Sequence, residues 1–171
     1  MQNHFDLFHL PQRFDIDPDA LDRAYHEVQN QAHPDRFANA GGAEKRVAMQ
    51  WATRANEAYQ TLKNPLARAK YLCELNGMDL QVESNTAMPP AFLMQQMEWR
   101  EQLEEAHAAK DIGELENLEG ELRAARKSET AALAASLDAG DYHAAAQGVR
   151  RMMFIEKFEE EVARVFDLVS E

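Results

Sequence analysis

Two apolar repeats on either side of His33-Pro34-Asp35 limit what this chain can fold into. Upstream, Leu21, Tyr25, Val28 and Ala32 recur at spacings of 4, 3 and 4 residues, one stripe of an amphipathic helix. Downstream, Val47, Trp51, Ala55, Ala58 and Leu62 keep the same period. Two such helices joined by a polar, glycine-containing connection predict an antiparallel hairpin whose stripes face each other. The tripeptide falls where the first helix ends. Pro34 fixes its own φ and pushes His33 out of the helical region, so the helix should stop near Ala32 and the loop should begin with little freedom. A loop already ordered loses less entropy when a partner binds it. His33 offers one donor and one acceptor, and Asp35 a carboxylate suited to a bidentate arginine. The competing reading is local: Asp35 caps a turn and His33 packs beside it.

The seam of the chain is predicted between Asn76-Gly77, a helix C-terminal signal, and Pro89-Pro90, with Asn85-Thr86 as loop. Before it, Asp17-Pro18 and Asn64-Pro65 each read as an N-cap followed by an N1 proline. After it come three long helical patterns. The first runs from about Pro90 to Ala108 and the second from about Gly113 to Ser136, with Leu115, Leu118, Leu122 and Ala125 on one face. The third follows Gly140-Asp141 and carries Ile155, Phe158, Val162, Phe166 and Val169. No strand signal of any length is present. The expected fold is all-α: a small helical domain over residues 1–77 containing the hairpin, a linker over 78–90, and a three-helix bundle over 91–171.

In the first bundle helix, Phe92, Trp99, Leu103 and Ala106 cluster on one side, while Leu93, Met94 and Met97 fall on the other among Glu98, Glu101 and Glu105. Periodicity alone leaves two readings open, a helix buried on both sides or an apolar interface with a charged rim. The interleaved acids favour the interface. Phe154 sits at the shoulder of the stripe on its own helix, where a packing role stays open.

The order of these residues resembles the J-domain of DnaJ-type co-chaperones. Phe5-x-Leu7-Phe8-x-Leu10 is similar to the family's opening helix, Ala24-Tyr25 and Phe37 flank the loop as in that family, and Asn56-Glu57-Ala58-Tyr59-x-x-Leu62 resembles its third helix. Pro65-x-x-Arg68-x-x-Tyr71-Leu72, Phe92-Leu93-Met94 and Val149-Arg150-x-x-x-Phe154 resemble the HscB branch of the family, and the resemblance covers nearly the whole chain. It implies an N-terminal J-domain and a C-terminal scaffold-binding domain. The implied activity is stimulation of the ATPase of an HscA-like, DnaK-type chaperone, with delivery of the IscU scaffold to it during iron–sulfur cluster assembly. The implied chaperone contacts are His33, Pro34, Asp35, Arg36, Arg23 and His26. The implied scaffold contacts are Leu93, Met94, Met97, Glu98, Glu101, Glu105 and Phe154. A J-domain adaptor for a different client is the alternative. The chain departs from the family on the helix before the loop: Arg23 and His26 stand beside Asp19, Asp22 and Glu27 where lysines and arginines are usual. Lys45 and Arg46 could contribute positive charge from the next helix.

Other classes are disfavoured by composition. The net charge of −12 is uneven: residues 1–78 hold 9 Lys/Arg and 10 Asp/Glu, residues 79–171 hold 9 and 20. An acidic second half argues against nucleic acid and anionic membrane and favours a partner with a basic patch. No run approaches the roughly 20 apolar residues of a membrane span, and the opening residues lack signal-peptide character. The single cysteine, Cys73, fits a reducing compartment, hence a cytoplasmic location, and a buried thiol. His33 and Asp35 have no third ligand or nucleophile at recognisable spacing, and no Cys-x-x-Cys pair is present, so neither an enzyme, a cofactor nor a metal is expected. His4, His9, His107 and His143 are read as solvated.

Overall fold

The computed structural model describes residues 2–80 and 88–171, and every regular element in them is helical. Contacts divide the chain into two compact units, Met1–Leu72 and Cys73–Glu171. Residues 81–87, with the loop expected at Asn85-Thr86, lie outside the described residues.

The first unit contains α1 (His4–Leu7), α2 (Pro18–Gln31), a 3-10 turn (Pro34–Phe37), α3 (Gly42–Lys63) and α4 (Pro65–Leu75), which runs on past its end. The short α1 is closed by a capping box, Asn3 Oδ1 accepting from the Asp6 amide while the Asp6 carboxylate accepts from the Asn3 amide. Asp17 caps α2 through its Oδ1, with Pro18 in the first turn. Asn64 Oδ1 accepts from the Ala67 amide ahead of Pro65 in the same way. Phe5, Phe8, Leu21, Val28, Ala32, Ala55, Ala58 and Leu62 are buried and form the core with Phe14 and Ile16.

Two expectations are corrected here. Val47 is not part of the stripe: Ala48 is buried in its place, and Val47 faces outward. Periodicity alone could not choose, because both residues lie within one turn of Trp51. His4 is not solvated. Its ring stacks on Tyr71 at 4.4 Å, and its amide donates to the Tyr71 hydroxyl at 3.0 Å. Burial lowers its pKa from 6.5, opposed by Glu57 and assisted by Arg54.

The second unit contains α5 (Pro90–Ala109), α6 (Ile112–Asp138) and α7 (Tyr142–Ser170). Helices α6 and α7 form its longest interface, burying Leu115, Leu118, Leu122, Leu133 and Leu137 against Val149, Met152, Ile155, Phe158 and Val162. Phe166 and Val169, expected in the same stripe, are half-buried near the end of α7. Gly148 lets the helices approach: a Cβ there would stand 3.3 Å from Leu133 Cδ1. Ion pairs join the helices at either side, Arg126–Glu159 at 2.7 Å and Arg151–Glu129 at 3.0 Å.

Both connections in this unit use one device, a left-handed residue that ends one helix and an aspartate that caps the next. Gly140 (φ 74) is followed by Asp141, whose Oδ1 accepts from the Ala144 amide. Lys110 (φ 53) is followed by Asp111, whose Oδ1 accepts from the Glu114 amide. Asp111 N donates to Ala106 O at 2.9 Å, and Asp141 N to Ser136 O at 2.9 Å. Lysine carries a left-handed penalty that glycine avoids. Lys110→Gly is therefore expected to raise stability by about 0.5–1 kcal/mol, seen as a higher urea midpoint; a lower midpoint would contradict the strain.

His4 gives the first unit a pH dependence. Its folded pKa is depressed, so the unfolded chain takes up the proton first, and the associated stability is lost as pH falls through the ordinary histidine range. Urea unfolding at pH values between about 5 and 7.5 should show a steeper loss for wild type than for His4→Phe. Parallel curves would refute this assignment.

Candidate functional site

The hairpin holds the tripeptide from behind. Tyr25 and Tyr59 stack at 4.1 Å, 8° from parallel. Around them, the Tyr25 hydroxyl donates to Asn56 Oδ1, Gln29 Nε2 donates to Asn56 Oδ1 at 2.7 Å, and the Tyr59 hydroxyl donates to Asp22 Oδ1 at 2.7 Å. The Asp22 bond is the main cause of the raised Tyr59 pKa. It also turns one of the three α2 carboxylates into the hairpin, easing the acidic character expected of that helix.

Helix α2 ends at Gln31, with Ala32 N bonded to Val28 O at 2.9 Å. His33 is then extended (φ −58, ψ 136) and caps the 3-10 turn, its Nδ1 accepting from the Asp35 amide at 3.2 Å. That bond needs an unprotonated Nδ1, which assigns the neutral ring's proton to Nε2. The Asp35 carboxylate lies 3.6 Å from the same nitrogen, close enough for an ion pair only when the ring is charged. The His33 side chain is 56% exposed and that of Asp35 is 93% exposed. The turn is thus capped by His33 and not by Asp35, and both side chains stay presented to solvent. Pro34 and Arg36 are exposed on the same turn. Arg23 and His26 are exposed on α2, three residues apart and in phase with the run to His33.

On α5, Leu93 is 44% exposed, Met94 62% and Met97 64%, and Glu98, Glu101 and Glu105 are exposed around them. Trp99, Leu103 and Ala106 are buried on the other side. Phe154, half-buried on α7, packs against the aromatic side of α5. Its ring stacks on Trp99 at 6.3 Å and Phe158 at 5.7 Å, and meets Phe92 edge-on at 5.8 Å. Arg100, which the sequence reading did not single out, lies over Phe154 at 5.7 Å and Phe158 at 5.5 Å, with Glu161 3.5 Å away. This cluster fixes α5 to α7 and so sets how Leu93, Met94 and Met97 are presented. A cation over two rings from another helix leaves no periodic mark in the sequence.

Cys73 is fully buried, and burial, with Glu74 adding to it, pushes its thiol up to about 11. Among the described residues no group of three or more His, Cys, Asp and Glu side chains could hold a metal ion, and no helix is long and apolar enough to cross a membrane.

A co-chaperone protein HscB homolog of Burkholderia thailandensis is 59% identical over 160 residues, 94% of this chain and 91% of that protein. The chain belongs to the HscB family of co-chaperones. The sequence model of the HSCB C-terminal oligomerisation domain matches residues 88–163. The structure of chaperone HscB from Vibrio cholerae aligns with a TM-score of 0.84 at 38% identity, covering 98% of this chain and 99% of that one. Human co-chaperone protein HscB aligns with a TM-score of 0.88 at 27% identity, covering 95% and 81%. The fold is that of HscB, an N-terminal J-domain and a C-terminal helical domain.

In this HscB-family bundle the packing and presenting residues of α5 should separate experimentally. Phe154→Ala removes a half-buried ring and is expected to cost about 1–3 kcal/mol in denaturant unfolding, below the range for a fully buried ring. Leu93→Ala/Met97→Ala, on exposed side chains, should change stability by about 0.5 kcal/mol or less. Equal losses would contradict the division of roles.

Proposed function

We propose that this chain is a two-site adaptor in iron–sulfur cluster assembly, with a J-domain at residues 1–77, a linker at 78–90 and a scaffold-binding domain at 91–171. His33, Pro34 and Asp35, flanked by Arg36, Arg23 and His26, dock on the ATPase of an HscA-like, DnaK-type chaperone. Leu93, Met94 and Met97, rimmed by Glu98, Glu101 and Glu105 and held by Phe154, receive the IscU scaffold. The observation that carries this reading is the loop: an exposed histidine and carboxylate on a turn already ordered by Pro34 and by the His33 cap.

The loop can stimulate ATP hydrolysis only by binding one chaperone state better than the other. Full burial of a large apolar side chain is worth about 1.5–3 kcal/mol, so covering the half-exposed trio supplies several kcal/mol for scaffold binding. Joining both events in one chain raises the effective concentration of scaffold at the chaperone. The chemistry then belongs to the partner, and the chain acts as a cytoplasmic co-chaperone with no cofactor, membrane or nucleic-acid role of its own. That its relatives are named co-chaperones supports this.

Steady-state ATPase of the chaperone, with and without scaffold, is the test. His33→Gln should abolish stimulation. Leu93→Ala/Met97→Ala should retain the scaffold-independent part and lose the scaffold-dependent part. Full stimulation by a folded His33→Gln variant would overturn the loop assignment.

A further inference from the structure

The first half of α3 carries more apolar surface than the hairpin uses. Val47 is 63% exposed and Met49 70% exposed, although Ala48 between them is buried. Phe37, which ends the 3-10 turn, and Trp51 are half-buried. Between them lies an open hollow of about 400 Å³ lined by Phe37, Ala43, Glu44, Val47, Ala48 and Trp51. Only Glu44 among these carries a charge, and the indole N–H of Trp51 is the one other polar side-chain group. A small-molecule site would need several convergent polar groups to orient its ligand. This hollow instead suits an apolar side chain offered by another protein.

Two observations say which protein. Phe37 belongs to the same four-residue turn as Pro34 and Asp35, so the hollow continues the presented loop. The local charge is also weighted to cations. Beside the hollow stand Arg36, Lys45 and Arg46, against Asp35 at the loop and Glu44. Helix α2 carries Asp19, Asp22 and Glu27 against Arg23. The positive field beside the loop therefore comes from the turn and α3.

We infer that this hollow receives an apolar side chain from an acidic segment of the same ATPase chaperone that docks on the loop, an inference that rests on the docking proposed for His33-Pro34-Asp35. The exposed Arg36, Lys45 and Arg46 attract the segment's carboxylates, and Val47 and Trp51 close on its apolar residue.

The experiment titrates the full chain into the chaperone and reads the concentration giving half-maximal ATPase stimulation at two salt concentrations. Val47→Asp should raise that concentration about tenfold while leaving the maximum unchanged, and Val47→Leu should behave as wild type. Thermal unfolding of Val47→Asp should match wild type, as expected for an exposed position. Lys45→Glu/Arg46→Glu, on exposed side chains, tests the acidic flank independently and should flatten the salt dependence. A wild-type half-maximal concentration for Val47→Asp with His33→Gln inactive, or an unchanged salt dependence for the charge reversal, overturns the hollow and leaves the loop reading standing. Wild-type stimulation by His33→Gln overturns the loop reading and the hollow with it.

Discussion

The hairpin depends on how closely α2 and α3 approach. The buried stripe of α3 is mostly alanine, at 48, 55 and 58, with Leu62 completing it. Small side chains let the helices come together and bring Tyr25 and Tyr59 into a face-to-face stack. The hydroxyls of that stack then find Asn56, Gln29 and Asp22. Apolar stripes fix distance but slide easily along an axis; directional hydrogen bonds between rings and amides do not. The end of α2, and with it His33, is thereby set against α3, and Pro34 stops the helix at that point.

The second unit solves a different problem. Here α6 and α7 form a long antiparallel pair with large residues, a glycine where a Cβ would crowd Leu133, and ion pairs at either side. Helix α5 has less to bury, because one of its faces is left open. It is held by aromatic packing at its N-terminal half and by Arg100, which joins two rings and Glu161. An exposed ion pair alone is worth about 0–1 kcal/mol, so the rings carry most of this attachment.

Much of this was legible in the sequence because it follows from local rules. The Asp17-Pro18 and Asn64-Pro65 caps, the end of α2 and the stops at Gly77 and Gly140 depend on residues within one turn. The split of α5 into a buried Trp99 side and an exposed Leu93–Met97 side needed both the helical angle and the acids interleaved with the exposed residues. What escaped depends on partners far apart in the chain. The choice of Ala48 over Val47 is made by tight helix packing, the stacking of His4 depends on Tyr71, and the cation over Phe154 comes from Arg100 on another helix. Lys110 in a glycine-like conformation had no local signal.

Cys73 has a consequence for a protein proposed to handle an iron–sulfur scaffold. Iron and copper ions, and peroxide, react with thiolates rather than thiols. With the thiol pushed up to about 11, it stays protonated at neutral pH, and that sulfur is buried. A buried thiol held in its protonated form is a poor nucleophile, so Cys73 is a structural residue of the helix that carries it.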